Sequence, residues 1–249
     1  LRAVDGVDIS VPDCTSVGIV GESGCGKSTL LRLLLKLEEP TAGQVLYRGK
    51  DLSCFREKNL LSFREEVQAV FQDAAASLNP KITVGNSIIE PFLNLKADQP
   101  RQALKMKVAE TLEQVGLNRG DADKFPHQFS GRQQRRIALA RALIIKLKLI
   151  ICDEATSGLD VSVQAQLLNL LLDLQHDFAV NYLFVSHDLS VVRYLCSKVV
   201  VMYGGKIVEE LHVDSLKQAF HPYTKALLAA EPDMKQTEMA PILEGQPPD

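Results

Sequence analysis

The chain has no run long enough to cross a membrane. Its most apolar stretch, around Leu143 to Cys152, is broken by Lys146 and Lys148. No signal peptide is legible at its start. It opens on Leu1 without methionine and closes on "EGQPPD", so trimming at one or both ends is expected. Neither charge sign dominates. Lys and Arg number 28 against 31 Asp and Glu, a net charge of -3, which argues against a chain-wide nucleic-acid footprint and leaves room for a local patch. The five cysteines (Cys14, Cys25, Cys54, Cys152, Cys196) are odd in number and scattered, without a C-x-x-C pair. That argues against a disulfide framework or a zinc site and fits a reducing cytosol. No internal repeat or low-complexity tract stands out.

What is present is an ordinary globular composition. With 249 residues, 46% hydrophobic and 24% charged, the chain can bury a sizeable core as one large domain or two small ones. "TSVGIV" (Thr15 to Val20) predicts a buried strand, and leucine-rich Lys27 to Leu37 a helix stopped by "EEPTAG". Further strands are predicted at Val67 to Phe71, Leu149 to Cys152, Tyr182 to Ser186 and Lys198 to Tyr203. Helices are predicted at Arg101 to Leu117, Gln134 to Lys146 and Val161 to Leu174. Strands and helices alternate at both ends of the chain, which implies a mostly parallel α/β core. Asp73 to Lys146 shows helices without clear strands and reads as a helical insertion. The tail from Val213 is mixed, and its proline-rich end is expected to be loose.

"GESGCGKST", Gly21 to Thr29, fits G-x-x-x-x-G-K-[ST] between a predicted strand and a predicted helix. Glycines let the backbone wrap closely so that several N–H groups point inward as an anion nest, and the following helix adds the positive end of its dipole. In such a loop Lys27 reaches the β- and γ-phosphates and the Ser28 hydroxyl ligates Mg²⁺. Cys25, inside the loop, reads either as a thiol activated by lysine and the helix end or as a small filler whose backbone N–H matters.

"LIICDEATSGLD", Leu149 to Asp160, places Asp153 and Glu154 at the C-terminal end of a strand, where α/β folds put ligands. Asp153 suits Mg²⁺ coordination through water, and Glu154 can take a proton from an attacking water. His187, in "FVSHD", ends another strand and is a candidate for contact with a γ-phosphate or the attacking water. Gln72, ending "VQAVFQD", is the same kind of candidate. "HQFSGRQQRR", His127 to Arg136, has two readings: a basic patch for nucleic acid, or a nucleotide clamp in which arginine has replaced a small residue.

Together these residues resemble the ATP-binding cassette ATPases. Gly21, Glu22, Ser23, Gly24, Cys25, Gly26, Lys27, Ser28 and Thr29 match the Walker A loop, and Leu149 to Asp153 match Walker B. Glu154 matches the catalytic glutamate, Gln72 the Q-loop and His187 the switch histidine. Ser157, Gly158, Leu159 and Asp160 match the D-loop, and Ser130, Gly131 and Gln133, with Arg132 between them, match the signature. "SGLDVSVQAQ", "VSHDLSVVRYL" and above all "HPYT" (His221 to Thr224) resemble the peptide/nickel import branch.

The resemblance implies an α/β P-loop NTPase (RecA-like) core with an antiparallel β edge and an inserted α-helical subdomain. Residues 1–72 and 147–212 would form the nucleotide-binding core, 73–146 the helical subdomain and 213–249 a tail. It implies ATP and Mg²⁺ as ligands, the metal held by Ser28, Gln72 and Asp153. It further implies a second cassette subunit, a heterodimer favoured over a homodimer, with two integral membrane permease subunits and an extracytoplasmic substrate-binding protein. No nucleic acid is expected. The ATPase would sit on the cytoplasmic face of the inner membrane and drive uptake of peptides, nickel or metal chelates. Each ATP would lie between one subunit's Walker A loop and the other's signature. Leu78, Asn79 and Pro80 are candidates for the surface that meets the membrane subunits, or form a solvent-facing turn.

Several positions depart from the family pattern. Arg132 replaces the second signature glycine, Ala155 the usual proline after the glutamate, and Cys14-Thr15 a Gly-Glu turn; no aromatic precedes Tyr47 to stack on adenine. An alternative reading is a soluble cassette ATPase acting on nucleic acid or ribosomes. A P-loop kinase or GTPase has no place for the Ser130–Gln133 motif or His187.

Overall fold

The short apolar runs become the centre of a six-stranded sheet in the computed structural model, which describes residues 2–71, 73, 76–95, 101–145 and 147–230. Strand β1 (Val17–Val20) leads through the glycine-rich loop into helix α1 (Lys27–Leu34). A hairpin of β2 (Leu46–Tyr47) and β3 (Lys50–Asp51) follows, then α2 (Glu57–Glu66) and β4 (Val67–Val70). Helices α3 (Val84–Leu95), α4 (Arg101–Gln114) and α5 (Gly131–Leu143) come next, with no strand among the described residues between β4 and β5. The chain then alternates: β5 (Leu149–Asp153), α6 (Val161–Phe178), β6 (Asn181–Ser186), α7 (Leu189–Leu195) and β7 (Lys198–Tyr203). Strand β8 (Lys206–His212) and helix α8 (Pro222–Ala230) end the described part.

The sheet order is β4-β5-β6-β1-β7-β8. Every pair is parallel except β7 with β8, so the antiparallel edge is β8. Side chains alternate across it with the period of two that strands impose. Ile150, Cys152, Tyr182, Phe184, Val199 and Val201 join the core shared with α3 to α7. Ile151, Leu183, Val185, Val200 and Met202 join the smaller core under α1 and α2. Both faces are covered, which is why the central strands read as unbroken apolar runs. Phe184 is fully buried, and truncating such a ring to alanine costs about 3–5 kcal/mol.

The element ends differ from the sequence reading in ways that local chemistry explains. Helix α1 stops at Leu34 rather than Leu37, because Lys36 turns left-handed (φ 52°) and the Leu37 N–H folds back to Arg32 O at 2.9 Å. Helix α5 starts three residues before Gln134: Ser130 accepts from the Gln133 N–H and the Gln133 side chain returns to the Ser130 N–H, a reciprocal cap. Lys146, where that helix was expected to end, lies outside the described residues. Helix α6 runs on to Phe178, where Ala179 (φ 51°) ends it.

Candidate functional site

The glycine-rich loop emerges from β1 at the centre of the sheet. Val20 is in register with Ser186 of β6, and Val185 with Asp153 of β5. The loop, Asp153-Glu154 and His187 therefore leave neighbouring strands at the same end, the C-terminal edge where parallel sheets bind ligands. Gly26 caps α1 at φ 106°, and a β-carbon there would lie 2.1 Å from Ala3 O. Gly21 packs equally tightly, its missing β-carbon 2.3 Å from Met202 O. Helix α1 has no side-chain cap and no acid in its first turn, so its N-terminal dipole and N–H groups are left for an anion.

Lys27 is 5% exposed. Its ammonium donates to Gly21 O (2.7 Å) and Glu22 O (2.8 Å) and lies 3.8 Å from Cys25 Sγ. Cys25 is itself buried against the loop, which fits the filler reading of that residue. The lysine is thus held inside the loop by its own main chain.

Asp153 sits beside the Ser28 hydroxyl. Burial pushes its carboxyl above the ordinary carboxylate range, partly offset by Ser28, Lys27 and Arg32. A carboxylate and a hydroxyl are hard oxygen donors, the set that suits Mg²⁺, which usually takes one or two protein ligands plus phosphates and water. Among the described residues no cluster of three or more His, Cys, Asp or Glu offers an all-protein metal cage. Gln72, the third expected ligand, lies outside the described residues.

Glu154 follows the last residue of β5 in a left-handed conformation, φ 47°, with its N–H on Val185 O at 3.0 Å and its carbonyl accepting from Ser157 N. A non-glycine residue held there costs about 1–3 kcal/mol and marks positions where geometry matters more than backbone comfort. Its carboxylate is 3.6 Å from His187 Nδ1. The two side chains expected to handle the water are brought together.

The signature and D-loop residues meet each other instead. Arg132 Nη2 lies 2.8 Å from Asp160 Oδ2, and Arg135 Nη2 donates to Ser157 O at 2.7 Å. Ser130 and Gln133 are engaged in the cap of α5. Asp160 also caps α6, accepting from Val163 N and the Ser162 hydroxyl, and these contacts with Arg132 hold its carboxyl below the ordinary range. Arg132 thus reaches across to the D-loop, with more than half of its side chain still exposed.

Two further arginines of α5, Arg136 at the end of the motif and Arg141 beyond it, tie to main-chain carbonyls. Arg136 Nη1 donates to Val115 O (2.9 Å) and Gly116 O (3.3 Å), and Arg141 Nη1 to Ser77 O (2.6 Å). Burial lowers the pKa of Arg135, Arg136 and Arg141 alike. These guanidinium groups tie to main-chain carbonyls of their own chain, which weighs against the basic-patch reading. Tyr47, the first aromatic of the chain, is also committed: its ring stands edge-on to Phe63 and its hydroxyl bonds the Glu66 carboxylate.

One contributor was not found from sequence. The Tyr223 hydroxyl of the "HPYT" segment accepts from the Glu22 N–H at 2.8 Å, across 201 positions. No local signal gives such a contact. The cap of α5 was legible in principle, since Ser130-x-x-Gln133 is a capping-box pattern.

Comparison with known proteins bears on the family and the fold. Residues 4–157 match the family model described as "ABC transporter". The whole chain is 45% identical to 71% of the probable peptide ABC transporter ATP-binding protein y4tS of Sinorhizobium fredii. Over 93% of its length it is 48% identical to 71% of the oligopeptide transport ATP-binding protein AppF of Bacillus subtilis. Among solved structures it is similar to the dimeric, post-hydrolysis ATP-binding cassette MJ0796 bound to ADP and Pi. The TM-score is 0.77 and the identity 27%, covering 85% of this chain and 90% of that one. No helix among the described residues is long and apolar enough to cross a membrane.

Proposed function

The chain belongs to the ABC transporter family, and on that premise we propose that it is the ATP-binding and ATP-hydrolysing subunit of an oligopeptide importer. The observation that carries the reading is the meeting of Lys27, Asp153, Glu154 and His187 at one end of three adjacent strands. The peptide branch is supported by the relatives' names; nickel rests on sequence resemblance alone, and the reading narrows to peptides.

In this reading the phosphates of ATP lie over the N-terminus of α1, with Lys27 on the β- and γ-phosphates. Gly21, Glu22, Ser23, Gly24, Cys25, Gly26, Ser28 and Thr29 shape the cradle. Ser28 and Asp153, with Gln72, hold Mg²⁺, which supplies charge neutralisation on the phosphates. Glu154 takes the proton of the attacking water, and His187 orients that carboxylate and contacts the γ-phosphate.

The signature residues Ser130, Gly131, Arg132 and Gln133 and the D-loop residues Ser157, Gly158, Leu159 and Asp160 serve the ATP of a second cassette subunit. The dimeric cassette structure supports that pairing. Two permease subunits and a binding protein complete the importer, with this subunit on the cytoplasmic face of the inner membrane. The core is drawn from 1–72 and 147–212, the helical subdomain from 73–146 and the tail from 213–249. ATP-driven oligopeptide uptake by the reassembled transporter in proteoliposomes tests the proposal. Uptake should disappear with Lys27→Ala, and undiminished uptake would overturn it.

A further inference from the structure

We infer that Tyr223 is a positioning residue for the phosphate loop, fixing from the tail the peptide unit that receives Lys27. That unit joins Gly21 to Glu22 and is held on both edges. Its carbonyl, Gly21 O, accepts the Lys27 ammonium at 2.7 Å, and its N–H, on Glu22, donates to Tyr223 Oη at 2.8 Å. A peptide unit is planar, so rotating the N–H away from Tyr223 turns the carbonyl away from Lys27. The tyrosine and the lysine grip one rigid plate from opposite sides.

The tyrosine is itself built into place. In "HPYT", His221 Nδ1 accepts from the Tyr223 N–H at 3.2 Å, which makes His221 the cap of α8, and Pro222 takes the first helical position where no N–H is needed. Glu209 of β8 accepts from the N–H groups of Phe220 (2.7 Å) and His221 (3.2 Å), fastening the start of α8 to the sheet edge. Thr224 is fully buried behind it. The Tyr223 ring packs on Tyr203, at the end of β7, with centroids 4.6 Å apart. A second strap runs nearby: the Gly205 N–H, in the turn between β7 and β8, donates to Cys25 O at 3.0 Å. The edge hairpin and the tail helix together thus brace the outer side of the loop.

This inference rests on the ATP reading of the loop, and one titration separates the two. Tyr223→Phe removes the hydroxyl and keeps the ring. With the full chain, Mg²⁺ and a fluorescent ATP analogue, we expect Kd to rise roughly three- to tenfold, the scale of one hydrogen bond. The melting temperature without nucleotide should move by no more than about 4 °C. In a Lys27→Ala background the same substitution should leave Kd within about 1.5-fold, because members of one network do not add. An unchanged Kd for Tyr223→Phe, or an equal loss with and without Lys27, overturns the inference while leaving the ATP reading intact. A wild-type chain without ATP affinity overturns both. If Tyr223→Phe melts lower than expected, competition with AMP decides. Lys27 serves the outer phosphates, so ATP must lose more affinity than AMP, and equal losses overturn the inference.

Discussion

Lys27 and Arg132 are the two cations that the proposed mechanism brings closest to phosphate, and their settings are opposite. Lys27 is 5% exposed and bonded to two carbonyls of its own loop. The Arg132 side chain is 55% exposed and reaches across to an Asp160 side chain that is 54% exposed. The loop around Lys27 is braced from within by β1, from the edge by Gly205 and from the tail by Tyr223. The edge around Arg132 is braced behind, through Arg135 on Ser157 O, and open in front. In the proposed function the first region is one half of a nucleotide site and the second is the surface that serves a second subunit.

The largest test of this contrast is Glu154→Gln, on the Lys27 side. It should keep ATP binding and cut steady-state turnover of the assembled transporter by at least about a hundredfold, because an amide cannot take the water's proton. Near-normal turnover would remove Glu154 from that role. Lys27→Ala comes next: loss of a charge-assisted phosphate contact should weaken ATP affinity by about ten- to a hundredfold in calorimetry.

On the open side effects should be smaller and depend on the partner. The isolated chain should hydrolyse ATP weakly, with activity per chain rising with concentration or on adding the second cassette subunit. Full activity in a verified monomer would end the two-subunit description. The smallest effect is expected at Arg132. If its bulk and its tie to Asp160 impair the composite site this chain's signature completes, Arg132→Gly should raise total turnover by up to about twofold, one slow site of two being restored. Unchanged or lower turnover would dispose of that idea.

The same contrast explains what the sequence alone could disclose. The parallel strands were legible because both faces of the sheet are buried, which leaves continuous apolar runs such as Tyr182 to Ser186. Strand β8 was not, since as an edge strand it is half exposed and carries Glu209 and Glu210. Helix α2 is crowded with charge and shows no clean helical stripe; α3 buries Val84, Ile88 and Phe92 along one face, but Pro91 inside it reads in sequence as a helix breaker. At the site, motif spacing singled out the glycine-rich loop, Asp153, Glu154 and His187, which the structure brings to one end of the sheet. The spacing did not disclose that Arg135, Arg136 and Arg141 donate to main-chain carbonyls, because a guanidinium on a carbonyl reads in sequence like one in solvent. Gln72 remains a sequence expectation, outside the described residues.

The left-handed backbone at Glu154 sets stability against activity. A side chain with a β-carbon pays roughly 1–2 kcal/mol to stay in that region, and glycine would relieve the cost at once. Glu154→Gly should therefore relax the chain where it leaves β5 while deleting the carboxylate proposed to take the proton. On the proposed mechanism, stability and activity ask for different residues at this single position, glycine for the backbone at φ 47° and glutamate for the proton.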